Sequence, residues 1–237
     1  SGSTSVQPVL EALAEEFMAL HPDVTITYNG TGSSTGVSQA NEGAYMIGAA
    51  SRNIKDSEKE YGMTEKVLAY DGIAVVVNPA VDVDELTMEQ IQMIFKGEIT
   101  DWSEVGGTAG AIMVVSREDG SGTRGAFEEI VGFEDELTVD ATIAEGNGGV
   151  KSTVVENPAA IGYVSFTYLD GTIKDLTVDG GTADVESVLD GTYPVSRPFM
   201  LIWHEGNLDE IGKSFLEFVD TDEAKTIIED AKAIPLP

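Results

Sequence analysis

Ala111-Ile112-Met113-Val114-Val115-Ser116-Arg117-Glu118-Asp119-Gly120-Ser121-Gly122-Thr123, followed by Arg124 to Ile130, reads as strand, loop and helix in succession. The apolar run from Ala111 to Val115 predicts a strand, and a helix is expected to follow the loop from Arg124 to Ile130. The same succession stands upstream. Val24-Thr25-Ile26-Thr27-Tyr28 alternates like a strand, runs into Asn29-Gly30-Thr31-Gly32-Ser33-Ser34-Thr35-Gly36, and leads to a helix over Val37 to Asn41. Tyr45 to Ala50, Ile73 to Val77 and Phe199 to Trp203 read as further strands, and a helix and strand are expected around Asn157 to Phe166. Val6, Val9, Leu10, Leu13, Phe17 and Leu20 recur at helical spacing, with Pro8 in a first turn that tolerates it. Thr87-Met88-Glu89-Gln90 has capping-box form ahead of Ile91, Ile94 and Phe95. Helices over Leu208 to Val219 and Asp222 to Ala231 close the chain. Strands and helices alternate throughout, which favours an α/β fold with largely parallel sheets.

Composition removes several function classes. The 237 residues carry 13 Lys plus Arg against 42 Asp plus Glu, a formal net charge of −29. No basic cluster survives among the acids, so nucleic-acid binding by charge drops out. Hydrophobic residues at 42% and charged residues at 23% are ordinary globular usage, enough for one large domain or two small ones. With no cysteine, thiol catalysis, thiolate metal sites and disulfides are excluded, while the compartment stays open. Two isolated histidines give no metal-ligand spacing, and no cofactor motif is present. No apolar run reaches the roughly 18 residues of a membrane span.

The chemistry is concentrated in loops. Ser3-Thr4-Ser5, Thr31 to Gly36 and Gly120 to Thr123 each place hydroxyls or glycines just before an apolar helix. A helix start presents unpaired N–H groups and about half a positive charge, so such loops suit a small tetrahedral oxyanion. The alternative is that these residues are merely N-caps. Of four arginines, Arg52, Arg117 and Arg124 lie in or beside loops of this kind, and Arg197 lies outside them. A guanidinium fork matches two oxyanion oxygens, although each arginine could equally pair with a neighbouring carboxylate. A rival pattern overlaps the second loop: Gly32-Ser33-Ser34-Thr35-Gly36 fits G-x-S-x-G, which would make Ser34 a hydrolase nucleophile with His204 downstream.

The whole chain resembles the substrate-binding proteins of phosphate ABC transporters. The resemblance is carried by Gly2 to Val6, Gly32-Ser33-Ser34, Ile47 to Arg52, Ile94 to Trp102, Arg117 to Thr123 and Ile161 to Ser165, in matching order and spacing. It implies a bilobal periplasmic-binding-protein fold, two mixed-sheet α/β domains joined by crossing hinge strands. Lobe I would hold residues 1–73 plus 198–237, lobe II residues 74–197, with the ligand in the cleft. The ligand set implied for phosphate is Thr4, Ser5, Ser33, Ser51, Arg117, Ser121, Gly122 and Thr123, supported by Asp119 bracing Arg117 and by Ser34 and Arg52. Many members of the family have aspartate where this chain has Ser51, so the carboxylate that would accept a phosphate proton is missing, leaving Asp119 or Glu118 to substitute. The resemblance further implies a non-enzymatic, monomeric, extracytoplasmic protein that is periplasmic or anchored as a lipoprotein. Its partners would be inorganic phosphate and a membrane permease, with sulfate or a molybdate-like ion as the alternative cargo.

Overall fold

The computed structural model describes all 237 residues. In chain order the first stretch contains α1 (Gln7–Leu20), α2 (Ser33–Asn41), β1 (Gly48–Ala50), α3 (Asp56–Lys59) and β2 (Thr64–Val77). The middle contains β3 (Glu85–Leu86), α4 (Met88–Lys96), β4 (Met113–Arg117), α5 (Gly122–Val131) and β5 (Thr142–Ala144). It continues with α6 (Gly146–Glu156), β6 (Ala160–Ser165), β7 (Lys174–Asp175), β8 (Thr177–Val178) and α7 (Val185–Leu189). The last stretch contains β9 (Ser196–Trp203), α8 (Glu210–Phe218), α9 (Asp222–Asp230) and β10 (Ile234–Pro235). No helix is long and apolar enough to cross a membrane.

The elements fall into two compact units. The first comprises Ser1–Asp71, Gly120–Gly122 and Arg197–Pro237; the second comprises Gly72–Asp119 and Thr123–Ser196. In the first unit β9 lies between β1 and β2. The β1–β9 pair is antiparallel, with Ala49 opposite Leu201, and β10 runs antiparallel to β2 with Ile234 opposite Tyr70. Val9, Leu10, Leu13 and Phe17 form the buried face of α1, and Phe17 meets Phe215 edge-on at 5.4 Å. The N-terminal backbone is threaded into this unit: Gly2 bridges both Gly30 and Ala49 in parallel. A Cβ on Gly2 would stand 2.0 Å from the Ala49 carbonyl oxygen, so only glycine permits that approach.

In the second unit β6 runs antiparallel to the end of β2, from Ile73 opposite Ser165 to Val77 opposite Ile161, and parallel to β4. β4 in turn pairs in parallel with β5, which brings Arg117 opposite Ala144 at the strand end. Phe95, Phe127, Phe133 and Tyr163 fill the core beneath, with Phe127 stacked on Tyr163 at 4.1 Å. The buried Tyr163 hydroxyl is pushed up to about 12 by desolvation.

Several expectations need correcting. The sheets are mixed rather than largely parallel, because β2 has antiparallel neighbours at Ala69–Tyr70 and again at Ile73–Val77. Val24 to Tyr28 joins no ladder. Its Val24 N–H turns back to His21 O and its Ile26 N–H reaches the Met18 sulfur, while Val24, Ile26 and Tyr28 pack on the core. The alternation therefore encodes packing without pairing. The strand expected from Tyr45 is only Gly48–Ala50, and that from Ala111 runs from Met113 to Arg117. Both loop-following helices start early, at Ser33 and Gly122, which moves the polar residues of the loops into the first helical turns.

Candidate functional site

Three segments of the first unit are tied together by main-chain bonds before any side chain takes part. Ser3 N–H donates to Ala49 O at 2.9 Å, Ala49 N–H to Ser1 O at 2.9 Å, and Thr31 N–H to Gly2 O at 2.8 Å. The ties bring Ser3, Ser33 and Ser51 into one buried cluster. Ser3 Oγ donates to Ser51 Oγ at 2.7 Å, Ser51 N–H donates to Ser33 Oγ at 3.1 Å, and the Ser33 and Ser51 hydroxyls stand 3.4 Å apart. Ser5 N–H donates to Ser3 Oγ at 3.1 Å. The fourth segment closes on the same point. A Cβ on Gly122 would lie 2.1 Å from Ser33 Oγ and 2.8 Å from Ser51 Oγ, and Gly120 O accepts the Ser34 N–H at 3.1 Å.

The cap explanation for these serines fails on geometry. α4, α7, α8 and α9 each have a side chain accepting from the first turn, from Thr87, Asp184, Asp209 and Thr221. α1 and α2, which follow the serine loops, have none; their N-caps are Val6 and Gly32. The hydroxyls are thus turned toward one another at two uncapped, electropositive helix starts. That arrangement offers uncharged, directed donors to an anion.

The arginines divide. Arg52 is filled by Glu58, with bonds of 2.8 and 2.7 Å to the two carboxylate oxygens, and also donates to Ser34 Oγ at 3.2 Å. Burial pushes the Glu58 carboxyl up, but the Arg52 and Lys55 bonds outweigh it and hold the group below its ordinary value. Arg117, 1% exposed, is braced by Glu118 through Nε and Nη2 at 2.8 and 2.7 Å. The brace expected from Asp119 is absent, because Asp119 turns to solvent and pairs with Arg124 at 2.9 Å. The Glu118 carboxyl feels the same opposition: desolvation raises it, Arg117 lowers it further, and the result is a depressed value. Ser121 and Thr123 are buried, and Thr4 is half-buried.

Two features beside the candidate ligands were not foreseen. Ser3, not named as a ligand, is the centre of the hydroxyl cluster. Arg197, set aside as outlying, donates from Nη2 to Ser5 Oγ at 2.9 Å and to Asp71 at 2.9 Å. A signal existed for the pair: Asp71 and Arg197 are charges standing just before the apolar runs Ile73 to Val77 and Phe199 to Trp203, where a buried charge needs a partner. The hydrolase alternative has no support in the geometry. Ser34 Oγ is engaged by Arg52, no strand precedes it, and His204 Nε2 sits 3.1 Å from Asn41 Oδ1. A cavity of about 350 Å³ elsewhere in the first unit, lined by Leu10, Ile26, Tyr28, Tyr45, Met46 and Phe215, contains none of the expected ligands.

Known proteins share this architecture. The PBP superfamily domain matches residues 1–223, so fold and site together define a substrate-binding protein of that superfamily. The phosphate-binding protein PstS of Bacillus subtilis is 33% identical over 243 aligned residues, covering 100% of this chain and 79% of the relative. A Clostridium perfringens protein described as a phosphate ABC transporter substrate-binding protein, solved with bound phosphate, is 49% identical with a TM-score of 0.98, over 100% of this chain and 98% of the other. An ABC-type phosphate transport receptor from Vibrio cholerae is 35% identical with a TM-score of 0.82, over 100% and 98%. The chain belongs to the family of phosphate ABC transporter substrate-binding proteins.

Proposed function

We propose that this protein captures inorganic phosphate outside the cytoplasm and delivers it, chemically unchanged, to the membrane permease of an ABC transporter, acting as a monomer. The proposed ligands are Thr4, Ser5, Ser33, Ser51, Arg117, Ser121, Gly122 and Thr123. Family membership and relatives described as phosphate-binding support the cargo. The observation that carries the reading is the buried Ser3–Ser33–Ser51 cluster at two uncapped helix starts. Ser3 gives its proton to Ser51 Oγ and none of the three hydroxyls caps its own helix, which leaves the Ser33 and Ser51 protons to be directed at an anion.

Ser51 supplies no charge, and Glu58 and Glu118 are each committed to an arginine. Ser51 Oγ accepts from Ser3, yet a hydroxyl has a second lone pair that can take the proton of a hydrogen phosphate. Sulfate has no such proton to give. Calorimetric titration with phosphate, repeated in excess sulfate, tests the assignment. A saturable phosphate isotherm that survives sulfate is expected; one abolished by sulfate would reassign the cargo to another tetrahedral oxyanion.

A further inference from the structure

The chain leaves the second unit after Asp119 and returns to it at Thr123, the intervening Gly120–Gly122 belonging to the first unit. Proposed phosphate ligands stand at both ends of this excursion, Arg117 before it and Thr123 after it. One side chain of the second unit spans the two ends. Arg124, in the first turn of α5, donates from Nη1 back to Arg117 O at 3.1 Å and to Asp119 Oδ1 at 2.9 Å, and from Nε forward to Glu128 Oε1 at 2.7 Å. A cation in the first turn opposes the helix dipole, and no acid in that turn offsets it. The helix by itself therefore disfavours arginine here, and the contacts that compensate lie at Glu128 and at the end of β4.

The Arg117 main chain is thus held by side chains at both of its polar groups. Its N–H donates to the buried Tyr163 hydroxyl at 3.3 Å, which stands 2.7 Å from Ser116 Oγ, and its carbonyl accepts from Arg124. The Asp119 contact is the weak one, because that carboxylate is 99% exposed. We propose that Arg124, braced by Glu128, is a positioning residue of the anion site: it clamps the base of the Gly120–Gly122 loop and so fixes the spacing of the ligands on either side. The inference rests on the phosphate-capture reading and adds to it a residue that acts through Arg117 O and need not touch the anion. A lysine at 124 keeps the charge but lacks the fork that reaches a carbonyl and a carboxylate in different directions.

The test compares Arg124→Lys and Arg124→Gln with the wild-type chain by calorimetric titration with inorganic phosphate, well below melting, and by amide hydrogen exchange without phosphate. Both variants are expected to weaken phosphate about tenfold. Both should also speed exchange at Gly120 to Thr123, because the loop opens more often once its base is released. Glu128→Gln, which loosens the brace and keeps the side-chain shape, should do the same to a smaller degree, and it carries the test should the Arg124 variants not melt cooperatively. Wild-type affinity in Arg124→Lys beside weakened binding in Arg124→Gln would make the role one of charge and overturn the proposal. Weakened binding with unchanged loop exchange overturns it too, as does a lowered melting temperature with affinity and exchange both unaltered. Absence of any phosphate isotherm in the wild-type chain removes the phosphate reading and the positioning role together, and the wild-type titration tells that outcome apart from failure of the clamp alone.

Discussion

At the scale of single residues the site depends on what is missing as much as on what is present. Gly122 has no side chain because a Cβ would meet Ser33 Oγ at 2.1 Å. Gly122→Ala should therefore abolish measurable phosphate binding, while circular dichroism reports a folded chain. Arg117 is a buried charge held by Glu118, and removing one member of such a pair typically costs about 3–5 kcal/mol. Arg117→Ala is expected to weaken phosphate by orders of magnitude in calorimetry. Glu118→Gln should weaken it too, whereas Asp119→Asn, at a side chain facing solvent, should leave the isotherm unchanged; the opposite ranking would restore Asp119 as the brace. The same carboxylate sets a pH dependence. Because the Glu118 and Glu58 carboxyls are depressed in the folded chain, their contribution to stability is present at neutral pH. It is lost as pH falls from the ordinary carboxylate value toward the lower folded ones. Urea midpoints should drop across that acidic window, with a shallower fall in Glu118→Gln.

At the scale of elements, legibility followed the periodicity of the apolar residues. α1 and α4 were readable because Leu13 and Phe17, or Ile91, Ile94 and Phe95, repeat at helical spacing behind recognisable starts. Val24 to Tyr28 misled because alternation shows which side chains are buried and is silent on whether another strand lies alongside. Helix starts misled in the other direction: hydroxyls and glycines delayed the expected onset of α2 and α5, although Ser33 and Gly122 already have helical backbones. Most residues of the proposed site were legible as loops, whereas the Arg197–Asp71 pair was not, since its partners lie 126 positions apart. The brace on Arg117 depended on whether residue 118 or 119 turned inward, and both lie in the loop beyond β4, where no strand periodicity assigns a side. Cap chemistry gives a control. Thr87 accepts the Gln90 N–H at the start of α4, so Thr87→Ala should lower stability by about 1 kcal/mol in denaturant melts and leave phosphate affinity alone. Ser33→Ala should lower both phosphate affinity and stability, because the Ser33 hydroxyl caps no helix but accepts the buried Ser51 N–H, and Thr87→Ala is the variant that separates the two readouts.

At the scale of the whole molecule, a chain of net charge −29 is proposed to hold an anion. Two accounts of how it does so differ in sign. If long-range surface charge governed capture, repulsion would dominate at low salt, and raising the salt would strengthen phosphate binding. If buried donors at short range govern it, the bound state is insulated from the ionic atmosphere. The Debye length falls from about 30 Å at 0.01 M to about 3 Å at 1 M, a range that separates the two accounts. Phosphate at roughly 100 times its dissociation constant should stabilise the folded chain by about 2.7 kcal/mol. For a protein of this size that corresponds to a rise in Tm of roughly 5–10 °C. Scanning calorimetry with and without phosphate, across that salt range in chloride, should return nearly the same increment each time. An increment that grows steadily with salt would place control at the acidic surface and displace the buried hydroxyls from their proposed role.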